Sequence, residues 1–305
     1  MNGSDRGESD VDDAVLTKKP KRESSEDDNT FLDCEELFRE GSAASLLLPI
    51  EELDESSSTS NEAEVITQAG AAGVCEFDAL AFIACVPARP FFASQLEYIV
   101  RHGTLQHRPA HDRRPCLVLD LDETLVHSSV VPLADADYVF PVEMPENGGF
   151  FTVYAKKRPH CDHFLRMAAQ KFELVVFTAS KRVYADRVLD FLDPHGKMLT
   201  QRLFREHCVF FAGSFLKDLS VLNRDLAKTV IVDNSPQTFA LDVHNGIPIE
   251  SFLAGPEQEE DDQLLGLLGL LDHVAQLADV RPFLREHFQL HSRAVERKAQ
   301  LKNCV

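Results

Sequence analysis

The chain has 305 residues, 44% of them hydrophobic, which is enough to bury a core, and a formal net charge of -19. Residues 1–60 hold 17 acidic residues against 6 basic ones, so the acidity belongs largely to an N-terminal arm, and the chain lacks the basic footprint that direct nucleic-acid binding needs. Its apolar runs are far too short for a membrane span, no secretory signal is read, and the seven scattered cysteines have no zinc-ligand spacing and read as reduced thiols of a nuclear or cytoplasmic protein.

Residues 1–73, rich in Ser, Asp and Glu, are expected to form a disordered arm. Its spacing allows an amphipathic helix at Phe31–Leu48. The cluster Lys18-Lys19-Pro20-Lys21-Arg22 has the make-up of a nuclear localisation signal, and equally that of a chance basic patch in a solvated tail. Composition shifts near Cys75. Phe77–Val86 is apolar and is broken by Pro87 and Pro90, and Leu96–Arg101 reads as a helical end. Cys116–Leu121 is a mostly apolar run leading into acids, as a buried parallel strand would be.

Next come two β-type segments, Tyr138–Glu143 and Phe150–Ala155, around the turn Glu146-Asn147-Gly148-Gly149, which predicts a hairpin. The spacing predicts helices over His160–Phe172, Lys181–Leu192 and Leu264–Leu277. Leu174–Phe177, Val209–Phe211, Thr229–Val232 and Ile247–Ile249 are predicted as strands. This alternation implies an α/β domain over residues 74–292, with a Rossmann-like, mainly parallel central sheet flanked by helices and a β-hairpin inserted after the first strand. Residues 293–305 are expected to form a flexible tail.

Three of the buried strands run into reactive polar residues: Asp120-Leu121-Asp122-Glu123-Thr124, Thr178-Ala179-Ser180 and Asp233-Asn234-Ser235. Lys217-Asp218 is placed on a loop or helix start. Taken singly, each has an ordinary structural explanation as a helix cap, a turn or a solvated side chain. As parallel neighbours they converge where open α/β sheets bind ligands. A carboxylate there is able to attack phosphorus. Asp120 and Asp233 suit magnesium, which prefers oxygen ligands. A lysine would balance charge on the phosphoryl oxygens and a threonine hydroxyl would orient them. Asp122, two residues after Asp120, would pass a proton to the leaving oxygen and take one from water.

Asp120-Leu121-Asp122-Glu123-Thr124-Leu125-Val126-His127-Ser128 resembles the signature of the haloacid dehalogenase (HAD-like) superfamily, in its FCP/SCP branch of protein phosphatases. Lys157-Arg158-Pro159, Val176–Ser180, Phe204–Val209, Lys217-Asp218-Leu219 and Val232–Pro236 are similar to its later segments. The resemblance covers about residues 75–292. Within the branch it is greatest to the group called CTD small phosphatase-like protein 2, through Thr178–Asp186, Asn245–Ser251 and Asp279–Pro282.

The resemblance implies a magnesium-dependent phosphatase acting on phosphoserine and phosphothreonine in proteins, in several members on the RNA polymerase II tail. It makes Asp120 the nucleophile and Asp122 the general acid/base. Thr178, Lys217, Arg205 and Thr124 become phosphate-binding residues. Asp120, Asp122 (through its main-chain carbonyl), Asp233 and Asn234 become the magnesium ligands. Only a hairpin and sheet-forming elements separate Asp122 from Lys217, too little for the large cap of small-molecule phosphatases in the superfamily. A non-catalytic binding module on the same fold is the other alternative, and the complete motif set speaks against it.

The proline pocket of polymerase-tail phosphatases would fall on Val130, Val142, Met144, Val153, Lys181 and Tyr184. Val130 replaces a large aromatic and Lys181 a leucine, and both changes disfavour proline burial. A lysine at 181 would instead favour an acidic or doubly phosphorylated target. The expected partner is a phosphoprotein, met by a monomer.

Overall fold

The computed structural model describes residues 77–103, 112–133, 135–144 and 149–302. The arm 1–73, with Lys18–Arg22 and the helix expected at Phe31–Leu48, lies outside the described residues, as does nearly all of the turn expected at 146–149.

Five strands form the central sheet: β1 (Cys116–Leu119), β5 (Glu173–Phe177), β6 (Leu199–Leu203), β9 (Thr229–Asp233) and β10 (Gly246–Pro248). They lie in the order β10-β9-β1-β5-β6, and every pairing is parallel. The parallel α/β architecture read from the sequence is the one observed. β1, β5 and β9 are buried at every residue, because both faces of the sheet are covered. Alternate side chains feed two cores. Leu117, Leu119, Leu174, Val176, Val230 and Val232 join α3 (Cys161–Lys171), α4 (Arg182–Leu192) and α5 (Gln263–Val274) on one face. Cys116, Val118, Val175, Phe177 and Ile231 join Phe82 of α1 (Ala79–Ile83) and Ile99 of α2 (Ala93–His102) on the other.

The insertion after β1 is a second, antiparallel sheet of β2 (Val126–Ser129), β3 (Tyr138–Met144) and β4 (Gly149–Lys157), in the order β2-β4-β3. The expected hairpin is present, and β2 extends it. Phe140 and Val142 point inward while Val139 and Glu143 point out. Tyr138 stacks on Phe191, and Phe140 on Tyr184, which seats the insertion on α4.

Three further differences have clear causes. Val209–Phe211 (β7) pairs antiparallel with β8 (Ser214–Leu216) as a separate hairpin and does not join the main sheet. The turn between them passes through Ala212 and Gly213, both at positive φ (45° and 80°). Residues 293–302, expected in a flexible tail, instead belong to helix α7 (Leu290–Lys302), which follows α6 (Arg281–Phe288). Leu290 and Ala294 are its buried residues. Arg297 Nε lies 2.5 Å from Asp78 Oδ2 and Lys298 Nζ donates to the Ala84 carbonyl at 2.9 Å, so docking on α1 supplies what helix propensity does not.

A buried ion pair at the end of the insertion ties it to the rest. Arg158 is fully buried; its Nε and Nη2 bond the two oxygens of Asp261 at 2.9 and 2.8 Å, and its Nη1 donates to the Thr124 carbonyl at 3.2 Å. Arg158→Met leaves the shielded Asp261 carboxylate without its cation. A loss of about 3–5 kcal/mol in equilibrium denaturation is expected. A loss below about 1 kcal/mol, the range of an exposed pair, would show that the pair is not desolvated.

Candidate active site

Because β9, β1 and β5 are adjacent and parallel, the polar residues that follow them share one sheet edge. Asp120 follows β1, and its amide donates to the Val232 carbonyl of β9 at 3.0 Å. Asp233 ends β9. Lys217, just after β8, reaches both: its Nζ is 2.5 Å from Asp120 Oδ1 and 2.6 Å from Asp233 Oδ2. Exposures of 5%, 1% and 1% put Asp120, Lys217 and Asp233 out of water. Burial alone would discharge the lysine, but the two carboxylates overcome it and hold Nζ protonated. Burial pushes the Asp120 carboxyl up to about 8, against the pull of Lys217 and with help from the Asp233 and Asp122 charges.

Asp233 is held from three sides. Besides Lys217, its carboxylate accepts from the Ser235 amide at 2.8 Å and from Thr238 Oγ1 at 2.6 Å. The Thr238 carbonyl accepts from the Lys217 amide at 2.6 Å, so one residue orients both members of the pair.

The chain turns sharply after Asp122. Glu123 takes a positive φ of 57°, and its amide donates to the Val126 carbonyl at 2.7 Å. Both oxygens of Asp122 are engaged. Oδ2 accepts from Ser180 Oγ at 2.6 Å and, more weakly, from Thr178 Oγ1 at 3.4 Å. Oδ1 accepts from the Tyr184 hydroxyl, which also bonds Ser128 Oγ at 2.7 Å. Burial raises the Asp122 carboxyl, with the Glu123 charge adding to it, while Ser180 and Tyr184 pull it down. An acid so placed is suited to holding and giving a proton.

The other expected residues divide. Arg205 is half-buried at the same edge, with Nε donating to the Ala179 carbonyl at 2.7 Å and its guanidinium 4.8 Å from the centre of the Phe215 ring. Thr124, expected on the phosphate, is fully buried, and its hydroxyl is committed to Asn234: it accepts from the Asn234 amide at 3.2 Å and lies 3.4 Å from Oδ1. It ties the turn after β1 to the end of β9, as a positioning residue. Asn234 is held further by Ser251 Oγ at 2.9 Å.

Of the expected pocket, Val130 is exposed and Lys181 half-buried, just after Ser180. Val142 and Val153, at 2% and 3% exposure, belong to the core and line no open surface, because the inward face of the β3–β4 pair packs on α4. Met144 ends β3. Tyr184 turns its hydroxyl to Asp122, a role the sequence reading missed. Ser180, Ser128 and Thr238 were missed as partners too. Ser180 ends the strand-end tripeptide Thr178-Ala179-Ser180 and Ser128 closes the segment Asp120–Ser128, whereas Thr238 carried no signal.

The expected ligands would offer a hard divalent cation oxygen alone: the Asp120 and Asp233 carboxylates, brought together at Lys217, with the Asn234 side-chain oxygen and the Asp122 main-chain carbonyl, and no sulfur or imidazole is among them. Among the described residues no group of three or more His, Cys, Asp or Glu side chains is placed to hold a metal. The expected set is not of that kind, having two carboxylate side chains with an amide and a carbonyl.

Residues 115–281, more than half of the chain, match the family described as NLI interacting factor-like phosphatase. A CTD small phosphatase-like protein 2 from Dictyostelium discoideum is 49% identical over 175 residues, covering 57% of this chain and 30% of that protein. A probable C-terminal domain small phosphatase from the same organism is 51% identical over 178 residues, covering 58% of this chain and 56% of that protein. A CTD small phosphatase-like protein 3 from Caenorhabditis elegans is 43% identical over 216 residues, covering 70% and 72%. The chain thus spans well under two thirds of the length of the first two. The match over the domain that carries Asp120, Asp122, Lys217 and Asp233 is to one family, and the chain belongs to the NLI interacting factor-like phosphatases.

Proposed function

We propose that the chain is a magnesium-dependent protein serine/threonine phosphatase that works through an aspartyl-phosphate on Asp120. The observation that carries this reading is the buried trio of Asp120, Lys217 and Asp233, with Asp122 separately held two residues from the first.

Asp120 attacks the phosphorus of a phosphoserine or phosphothreonine ester, and the bond to the side-chain oxygen breaks as the new bond forms. Asp122 gives its proton to the departing alkoxide. It then takes a proton from water, whose oxygen attacks the phosphorus of the aspartyl-phosphate; inorganic phosphate leaves and the Asp120 carboxylate is restored. Magnesium, bound by Asp120, Asp233, Asn234 and the Asp122 carbonyl, would offset the negative charge gathered at the site. Lys217 and Thr178 face the phosphoryl oxygens, with Arg205 near the substrate phosphate. Ser180 and Tyr184 fix the Asp122 carboxylate so that proton transfer needs no search of rotamers.

A protein substrate is favoured because the described residues between Asp122 and Lys217 build the small β2–β4–β3 sheet and elements of the central sheet, with no cap domain over the edge. Among proteins, the exposed Val130 and the burial of Val142 and Val153 weigh against a proline pocket of the polymerase-tail kind. Lys181, beside Ser180, favours a target with acidic or phosphorylated neighbours.

A phosphopeptide panel with and without magnesium is the test, with an aryl phosphate and sugar phosphates alongside. Preference for acidic phosphopeptides that falls severalfold in Lys181→Leu supports the specificity. An unchanged preference sinks it, and faster turnover of the small esters than of any peptide would favour a small-molecule phosphatase.

A further inference from the structure

Two buried carboxylates beside Lys217 take no part in the chemistry above. Asp218 is the next residue and is fully buried; Asp242, in the 3-10 stretch Pro236–Asn245, is buried as well. Asp218 Oδ1 accepts from the Ser220 amide at 2.8 Å and Asp242 Oδ2 from the Leu219 amide at 2.8 Å. Together they shape the short turn Leu219–Leu222, which begins two residues after Lys217. The stretch that carries Asp242 also carries Thr238, which fixes the Lys217 amide and the Asp233 carboxylate.

Two anions held this way out of water need a cation. Arg89 supplies it. Its Nε is 3.1 and 3.0 Å from the Asp218 oxygens, and its Nη2 bonds Asp242 Oδ1. Arg89 lies in the turn Arg89–Phe92, well before the family match begins at residue 115. A segment outside the matched domain therefore supplies the cation shared by two buried carboxylates, one of them next to the site lysine.

We propose that Arg89 is a positioning residue for Lys217, which makes residues 77–103 a working part of the phosphatase. The inference rests on the function proposed above. Lys217 holds two carboxylates at hydrogen-bond distance from a main chain clamped by Thr238 on one side and by Asp218 on the other. With Arg89 gone, Asp218 and Asp242 repel, the turn after Lys217 shifts, and the ammonium moves relative to Asp120. A displacement near 1 Å at a site of this kind costs on the order of 100-fold in rate.

The test uses the full chain with an aryl phosphate in saturating magnesium. Arg89→Met is expected to lower kcat by about 10- to 100-fold with KM little changed. Arg297→Met, which cuts the tie between Asp78 and α7 on the same N-terminal segment, serves as the control for stability and is expected to keep its kcat. The double variant Arg89→Met/Asp242→Asn, with one of the two anions removed, is expected to recover most of the loss. Where Arg89→Met does not fold, Arg89→Lys takes its place; it keeps the charge, lacks the two-pronged reach and is expected to lose kcat severalfold. An Arg89 variant with the kcat of the parent, or a loss matched by Arg297→Met at equal thermal stability, overturns the inference. Absence of turnover in the parent would instead overturn the phosphatase reading itself.

Discussion

Asp120→Asn is expected to abolish phosphate release, with kcat falling on the order of 10⁴- to 10⁶-fold, while the fold stays intact. An amide of the same shape has no anionic oxygen with which to attack phosphorus. It still occupies the space at the end of β1, and the main-chain bond from residue 120 to Val232 is untouched. Burial already pushes the Asp120 carboxyl up to about 8, so a neutral side chain relieves a desolvation cost even as it loses part of its pairing with Lys217. The two effects oppose each other, and the melting curve by circular dichroism is expected to stay close to that of the parent. Turnover in the variant at more than a few per cent of the parent rate would remove Asp120 as the nucleophile. Full parent activity in excess chelator would instead overturn the magnesium dependence, since the charge gathered at this edge would then need no metal.

Lys217→Met should act on stability and catalysis together. Its Nζ lies at 2.5 and 2.6 Å from two buried carboxylates, and methionine fills much of the same space without charge. Asp120 and Asp233 are then left facing each other without a cation. A loss of about 3–5 kcal/mol is expected in magnesium-free buffer, as for other buried ion pairs that lose one partner. The loss of charge stabilisation for the phosphoryl oxygens should lower kcat by about 10²- to 10³-fold. Magnesium should stabilise the variant more than the parent, because the ion replaces a missing charge, and binding to the native state raises stability by mass action. Thermal midpoints read against magnesium concentration separate these outcomes. Equal magnesium shifts in the two proteins would mean that the cation and Lys217 do not share the same carboxylates.

Parts of this arrangement were open to reading from residue order alone. β1, β5 and β9 stood out as Cys116–Leu121, Leu174–Phe177 and Thr229–Val232, within a residue or two of their observed bounds, because strands covered on both faces are nearly continuous apolar runs. β6 did not, since Leu-Thr-Gln-Arg-Leu at the sheet edge mixes polar with apolar residues. β2 was hidden as well: Val-His-Ser-Ser has one strongly apolar residue, and its extended form comes from pairing with β4. Helix α7 lacks an apolar stripe wide enough to announce it, and packing on α1 makes it.

At the site, Asp120, Asp122, Lys217 and Asp233 were legible as candidates because their residue types stand at the ends of strands or turns, where parallel sheets leave room for ligands. The sequence by itself therefore determined the α/β class, the buried strands and which reactive groups lie at their ends, since periodicity reports burial. Tertiary structure alone decided that β9, β1 and β5 are neighbours, and through that adjacency that Lys217 spans Asp120 and Asp233. It also moved Thr124 from the phosphate to Asn234, drew Val142 and Val153 into the core, turned the Tyr184 hydroxyl to Asp122 and brought Arg89 to Asp218. These contacts join residues as far as 129 positions apart, and hydrogen bonds and ion pairs act over a few ångströms, so strand order and side-chain direction select them.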